Sequence, residues 1–263
     1  MNALVAERRL DLIEVATAPY RAAGRYAYHF ARGKLRADPV FVTILSDGLL
    51  SRCNEILDLG CGQGLLAAWL LAARAVAERN ALCWPSAWPA PPQPTLMRGI
   101  ELEPRSLARA RIALGDRASF FAGDVRRADF GNADGIVLLD VLHYIEYAAQ
   151  RSILERVHSS LSSSGVLLLR VGDAAGGLGF HIGKWVDKML LLAGGQGLRR
   201  LHYRPLPEWR ALLQDIGFDC ESLPMSSGTP FANVLLVATP RLVATPRLVA
   251  TPRYAGPGSN GAR

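Results

Sequence analysis

The sequence predicts an α/β protein built on a doubly wound, mainly parallel sheet, because short apolar runs alternate with helical patterns along most of it. Continuous apolar runs are typical of strands that are buried on both faces. A glycine-rich turn separates the first run from a long apolar helix, which is the layout of a nucleotide site at the carboxyl end of a strand. The predicted strands lie near residues 55–58, 97–102, 118–121, 135–140, 165–171, 219–224 and 233–238.

Helical patterns fill the gaps between these strands. A long apolar helix begins at Leu65, directly after the glycine turn. Pro104 suits the first turn of the next helix, and Gly115 closes it. Two later helices show apolar stripes at helical spacing. These stripes are Leu154, Val157 and Leu161 ahead of Gly165, and Trp209, Leu212, Leu213 and Ile216 between Pro207 and Gly217.

The chain divides into three regions by composition. Residues 1–52 precede the sheet, and the apolar and aromatic positions Leu10, Ile13, Tyr20 and Tyr28 predict two or more helices there. The sheet domain spans residues 53–240. The final residues, 241–263, continue an Ala-Thr-Pro-Arg repeat that starts at 238, 244 and 250. Proline in every copy opposes helix and central strand, so this tail is expected to be disordered.

Two irregular stretches interrupt the sheet domain. Residues 84–94 contain five prolines and predict an extended surface loop. Residues 172–203 are glycine-rich at both ends, with a short apolar segment between. This second stretch is either a lid that is hinged at its glycines or simply a long loop.

Composition restricts the classes of partner. The net charge is +7, but the last 26 residues hold four arginines and no acid, so the rest carries only +3. Basic runs interleaved with aromatic residues are missing, and no nucleic-acid partner is expected. No apolar run nears the roughly 20 residues of a membrane span. The charged N-terminus does not resemble a signal peptide, and the four scattered cysteines fit neither a zinc site nor a disulfide framework, so the expected location is cytoplasmic.

The glycine spacing separates two kinds of nucleotide site. Dinucleotide sites carry G-x-G-x-x-G, whereas here the third glycine comes one residue early and Leu65 stands in its place. The segment Ile56-Leu57-Asp58-Leu59-Gly60-Cys61-Gly62-Gln63-Gly64 resembles motif I of the class I S-adenosylmethionine-dependent methyltransferases. The resemblance implies a Rossmann-like seven-stranded sheet whose last strand is antiparallel, with an N-terminal helical cap over the site. It also implies that Asp58, Gly60, Cys61 and Gly62 surround the methionine and ribose parts of S-adenosyl-L-methionine.

The same resemblance implies that residues at the ends of three later strands bind the cofactor. Glu101 matches the second motif, where an acid accepts hydrogen bonds from the ribose hydroxyls, and Leu102 follows it. In the third motif, the carboxylate of Asp124 accepts from the adenine amino group and Val125 meets the ring. Asp140 ends the fourth strand beside the same cleft.

Catalytic and substrate-binding residues are harder to predict, because the cofactor's sulfonium is already activated and the protein mainly has to align the reactants. His143 is either a general base that takes a proton from a phenol or hydroxyl, or a structural histidine of the pocket wall. Candidate acceptor-binding side chains come from the helical cap and the lid. They are Tyr20, Tyr28, His29 and His181.

Sequence patterns also exclude some classes of methyl acceptor. Asp140 is followed by no Pro-Pro-aromatic sequence, which disfavours methylation of amino groups on DNA bases, and the Pro-Cys pair of cytosine ring methylation is missing. Metal-ligand spacing is missing as well. The acceptor is therefore expected to be a small or acyl-carrier-bound molecule. Oligomeric state is not predicted.

Three short strings carry a narrower resemblance. Residues 31–35, 170–174 and 224–233 look like segments of methyltransferases found with bacterial aryl polyene pigment pathways. This resemblance implies methylation of an aromatic ring or hydroxyl on a carrier-bound precursor. Two alternatives stay open: a nicotinamide-dependent oxidoreductase, and a scaffold that binds S-adenosylmethionine without turnover.

Overall fold

A computed structural model describes residues 3–79, 84–172, 201–225 and 233–241. These residues form a seven-stranded sheet with the order β3-β2-β1-β4-β5-β7-β6. Strands β1 to β5 pair in parallel, and β7 lies antiparallel between β5 and β6. The predicted α/β fold with an antiparallel last strand is therefore confirmed. The strands are β1 Glu55–Leu59, β2 Leu96–Glu101, β3 Ser119–Ala122, β4 Ala133–Leu139, β5 Leu161–Gly172, β6 Phe218–Pro224 and β7 Asn233–Pro240.

Seven α-helices accompany the strands in the described ranges. Three of them precede β1, as the N-terminal pattern predicted. Asp38 caps the third, where its side chain accepts a hydrogen bond from the Val40 N–H, and Pro39 follows in the first turn. The helices are α1 Ala3–Thr17, α2 Arg25–Ala37, α3 Pro39–Ser46, α4 Leu65–Arg79, α5 Pro104–Leu114, α6 Tyr147–Ser160 and α7 Leu206–Ile216.

The prediction that Leu161 belongs to a helical stripe is wrong. Helix α6 ends at Ser160, and Leu161 is the first residue of β5, where it pairs with Ala133 of β4. The i, i+3, i+7 spacing of Leu154, Val157 and Leu161 continues past the helix end because Leu161 is buried by the sheet instead. The other strand predictions match within a few residues.

The core has two halves, one on each face of the sheet. Neighbouring residues of a strand enter opposite halves, as Val137 does relative to Ile136 and Leu138. The half that contains Val137 is covered by α1 to α5, and in it the Trp69 indole N–H donates to the Phe41 carbonyl oxygen at 2.7 Å. The N-terminal helices are thus packed into the main core.

Several predicted features lie outside the described residues. These are His181, most of the lid candidate 172–203, and the repeat tail beyond residue 241. The proline-rich stretch is described from residue 84 and contains no regular element. Among the helices of the described ranges, none is both long and apolar enough to cross a bilayer.

Candidate cofactor cleft

A cleft of about 350 Å³ opens at the carboxyl ends of the central parallel strands. Ligand sites of doubly wound sheets lie at this edge, where the strand order reverses. Here the reversal falls between β1 and β4. Six of the nine predicted cofactor residues line the cleft, namely Gly60, Glu101, Leu102, Asp124, Val125 and Asp140.

The glycine turn after β1 is held tightly against two neighbouring strands. The backbone N–H groups of Gly60 and Cys61 both donate to the Ile100 carbonyl oxygen, at 2.8 and 3.2 Å. Gly60 and Gly62 adopt φ of 75° and 56°, a region that glycine enters without steric cost. A side chain on Gly60 would place its Cβ 2.4 Å from Val141 Cγ2. The turn therefore requires bare backbone at Gly60 for packing reasons alone.

Cys61 faces away from the cleft. Its sulfur packs so closely on β2 that a Cβ on Gly99 would lie 2.7 Å from it. Burial, together with the nearby Asp58 and Glu101 carboxylates, raises the pKa of the Cys61 thiol. Cys61 can therefore contribute to a cofactor site only through its backbone.

Glu101 fastens the glycine turn to β2. One carboxylate oxygen accepts from the Gly62 N–H and the other from the Glu103 N–H, both at 2.7 Å. Its neighbour Asp58 is half-buried below the turn. Burial first, and then the Glu101 charge, raise the pKa of Asp58 to about 7. Two adjacent carboxylates, one with a pKa raised by the charge of the other, favour a ligand that brings positive charge.

Asp124 lines the opposite part of the cleft. Its carboxylate is half-buried and receives hydrogen bonds from the Arg126 guanidinium, which lowers the pKa of Asp124. Arg126 also lines the cleft. An adenine amino group that bonded the Asp124 carboxylate would therefore share this carboxylate with Arg126 or displace Arg126 from it. Val125 forms a buried wall beside them, whereas the side chain of Leu102 is 57% exposed.

Asp140 lines the cleft, and its carboxylate also bonds protein partners. Arg170 donates to it from Nε at 2.8 Å and from Nη2, and Lys34 Nζ lies 3.6 Å away. Burial acts to raise the pKa of Asp140, but the charges of Arg170 and Lys34 outweigh it and lower the pKa to about 2. The side chain of Asp140 is still 33% exposed, and its backbone adopts φ 61° at the cleft.

Comparisons with known proteins agree with this geometry. A family model described as a methyltransferase domain matches residues 20–223. The chain belongs to this methyltransferase domain family. The class predicted from the glycine motif is thereby confirmed, whereas the narrower resemblance to aryl polyene pathways stays a prediction.

Individual relatives are more distant. The carboxy-S-adenosyl-L-methionine synthase of Chromohalobacter salexigens is 31% identical over 120 residues, which are 44% of this chain and only 38% of that protein. An O-methyltransferase family protein from Burkholderia thailandensis has a TM-score of 0.57 at 20% identity, over 80% of this chain and 57% of that one. Magnesium protoporphyrin IX methyltransferase from Synechocystis, with bound S-adenosylhomocysteine, has a TM-score of 0.53 at 19% identity, over 82% and 88%. At such identities the two solved structures show a shared fold.

The predicted base of the methyltransferase, His143, lies behind the cleft wall. It occupies a short 3₁₀ turn, is 7% exposed, and stacks on the Tyr203 ring at 5.1 Å between centroids. It does not line the cleft, whereas the next residue, Tyr144, does. Of the two readings of His143, this position supports the structural one.

The segment after β4 is held by one buried amide. Gln150 Nε2 lies within 3.0 Å of the carbonyl oxygens of Leu142, Ile145 and His202, and Gln150 Oε1 accepts from Arg204. Gln150 has no exposed surface. This side chain therefore joins the cleft wall to the chain segment that leads into α7.

The predicted acceptor-binding residues of the methyltransferase divide into different environments. Tyr20 is wrong as a contact residue, because it is fully buried and its hydroxyl donates to the Gln63 carbonyl oxygen at 2.8 Å. Burial raises the pKa of Tyr20. Tyr28 is half-buried and accepts from Arg32, and His29 is exposed with its ring edge-on to Tyr28. Tyr28 and His29 stay predictions.

The two glycines of the turn offer a matched pair of substitutions. A Cβ on Gly62 would meet no protein atom within 4 Å, in contrast to the close contact at Gly60. We expect Gly62→Ala to cost about 1 kcal/mol of folding free energy, from its positive φ alone. Gly60→Ala should cost about 1–3 kcal/mol more, because Val141 must shift. Urea unfolding measures both, and equal losses would contradict the packing role of Gly60.

Proposed function

We propose that this chain binds S-adenosyl-L-methionine in the cleft and transfers the methyl group to a small or carrier-bound acceptor. The observation that carries the proposal is the bond of Glu101 to the glycine turn, which places a carboxylate and bare backbone together at the cleft. Open space beside Gly62 leaves room for a ligand to approach this backbone. The donors and acceptors present fit the cofactor.

Five of the predicted cofactor residues have binding tasks in this proposal. Glu101 accepts from the ribose hydroxyls while it keeps the turn in place, and Asp124 accepts from the adenine amino group. Asp58 lies below the turn, where it would offset a positive charge of the methionine part. Val125 and Leu102 provide apolar surface for the adenine ring.

The bound cofactor supplies an activated methyl group, so the chain has to align the acceptor with it and exclude water. A general base is needed only if the acceptor must lose a proton. Tyr144 is the residue with a titratable hydroxyl that lines the cleft wall after β4, in place of the predicted His143. Tyr28 and His29 of α2 are the described residues that we propose for contact with an aromatic acceptor.

Calorimetry with S-adenosylhomocysteine tests cofactor binding. Heat of binding, together with a rise in melting temperature at millimolar ligand, is the expected result. No heat and no thermal shift would contradict the proposal, and binding of a nicotinamide dinucleotide in its place would favour the oxidoreductase. Turnover of labelled cofactor with a fractionated cell extract separates the enzyme from a scaffold and identifies the acceptor.

Cofactor binding is also expected to depend on pH through Asp58. Below pH 7 the free protein holds a proton on Asp58, and the α-ammonium group of the ligand would have to displace it. The affinity for S-adenosylhomocysteine should therefore fall about eightfold from pH 7.5 to pH 6. Calorimetry in two buffers of different ionisation enthalpy measures the released proton.

The Asp58→Asn variant is the control for this pH dependence. It has no carboxyl proton to release, so its affinity should be flat over the same range. The free wild-type protein should lose stability as pH rises from about 4 to 7, since its folded state binds the extra proton in that window. If the affinity of Asp58→Asn changed with pH as that of the wild type does, Asp58 would not be the group that titrates in the site.

A further inference from the structure

A buried ion network connects the N-terminal helices to the cofactor cleft. Arg170, on β5, is 2% exposed and bonds two carboxylates at once. Its Nη1 donates to both oxygens of Asp38, at 2.6 and 2.7 Å, and its Nε and Nη2 donate to Asp140. Lys34 Nζ, 2.9 Å from Asp38 and 3.6 Å from Asp140, balances the charge. Two cations and two anions form a neutral group.

The Asp38 end of the network holds the corner between two helices. Asp38 follows the last residue of α2 and caps α3 through the Val40 N–H. Helix α2 is also attached to the glycine turn, because Gln63 Nε2 donates to the Ala27 carbonyl oxygen at 2.9 Å. A movement of the α2–α3 corner would therefore reach the cleft by two routes.

The Asp140 end of the network shapes the cleft wall. Asp140 has φ 61°, the one positive value at a residue other than glycine within the described ranges. Such a conformation is disfavoured and persists when other contacts determine it. The next residue, Val141, fills the space directly against Gly60. Arg170 thus holds the carboxylate of the residue that precedes Val141, which packs against the glycine turn.

We propose that Asp38 and Arg170 are positioning residues that couple the seating of the α2–α3 corner to cofactor affinity. This inference rests on the proposed function. The guanidinium is a planar fork with fixed donor directions. When Asp38 becomes asparagine, Nη1 of Arg170 loses its charged partner and one of its two acceptor oxygens, and the fork turns to find another. Asp140 then loses its alignment, and Val141 moves from the turn, although Asp38 does not line the cleft.

The Asp38→Asn variant tests this coupling, with Asp134→Asn as its matched control. Asp134 is a half-buried carboxylate that, like Asp38, accepts from backbone N–H groups, here from Asn54 at 3.0 Å and Glu55 at 3.2 Å. It lies near the amino end of β4, whereas the cleft opens at the carboxyl ends of the strands. We expect Asp38→Asn to weaken S-adenosylhomocysteine binding about 5- to 50-fold in calorimetry. Asp134→Asn should change it less than twofold.

Hydrogen exchange of the wild-type protein provides a second measurement that does not need a folded variant. Coupling is reciprocal, so S-adenosylhomocysteine should slow amide exchange in α3 and at the end of α2. No slowing there, or equal affinity losses in both variants, would overturn the inference. A folded Asp38→Asn protein that binds like the wild type would overturn it too. Absence of binding by the wild-type protein would instead contradict the proposed function, and this inference with it.

Discussion

Replacement of Arg170 with methionine is expected to lower the free energy of unfolding at pH 7 by about 3–5 kcal/mol, the loss typical when one partner of a buried ion pair is removed. Methionine fills a similar volume but leaves Asp38 and Asp140 to share Lys34 as their one remaining cation. Asp38 is 7% exposed and has little access to water. Urea unfolding followed by circular dichroism measures the loss.

Two further variants identify the cause of the stability loss in Arg170→Met. Arg170→Lys keeps the charge but cannot present fork geometry to two carboxylates, so its loss should be intermediate. The triple variant Asp38→Asn, Arg170→Met, Asp140→Asn removes all unpaired charge except Lys34 and should recover part of the stability. A loss below 1 kcal/mol in Arg170→Met would show that the network contributes little.

The sign of the pH dependence gives an independent check on Arg170. In the wild type, Arg170 and Lys34 outweigh the effect of burial and hold the pKa of Asp140 at about 2. That contribution to stability is complete above the ordinary aspartate pKa of about 4 and is lost as pH falls towards 2. Without Arg170 both carboxylates should bind protons more easily. Arg170→Met should therefore lose less stability, relative to wild type, at pH 4 than at pH 7.

Substitution of Glu101 with glutamine is expected to weaken S-adenosylhomocysteine binding about 100-fold. The carboxylate accepts two backbone N–H groups, from Gly62 and Glu103, and hydrogen bonds to charged groups contribute about 1.5–3 kcal/mol. Glutamine has one acceptor oxygen, so either the turn or the start of α5 is released. The proposed bonds to the ribose are lost as well. Calorimetry on folded protein measures the change.

Glu103→Gln is the matched control for Glu101→Gln. Glu103 lines the same cleft and carries the same charge, but its carboxylate caps α5 by accepting from the Arg105 and Ser106 N–H groups. Loss of this cap should cost about 1 kcal/mol of stability and change the affinity less than threefold. Equal affinity losses in the two variants would mean that the cleft requires negative charge in general.

The sequence allowed the fold and much of the cleft to be predicted, because parallel strands end at one edge. Glu101 and Asp124 directly follow apolar runs, so their meeting in one cleft follows from topology. Arg170 carried a weaker signal. A cation within Leu167-Leu168-Leu169-Arg170-Val171 has to find a buried partner, but Asp38 is 132 positions away in the chain. Nothing local could identify it.

The positions of Tyr20 and His143 have physical explanations. Tyr20 was selected as an acceptor-binding side chain of the helical cap and His143 as either a base or a structural histidine after the fourth strand, and both are close to the site in space. Each is buried, with Tyr20 bonded to the glycine turn and His143 stacked on Tyr203. Sequence spacing places a residue near a cleft, but which way its ring turns depends on packing partners far along the chain. Two strings of the narrower resemblance also include Lys34 and Arg170, which the ion network explains without reference to an acceptor.

Gln150 sets a condition for anyone who wishes to retarget this enzyme by exchanging loops. The carbonyl of His202 shares a single amide with those of Leu142 and Ile145. A graft from another protein that begins or ends near residue 202 must therefore restore an acceptor at that point. Otherwise the amide relaxes and the wall next to the cofactor shifts, so a change intended for the acceptor would also alter cofactor affinity.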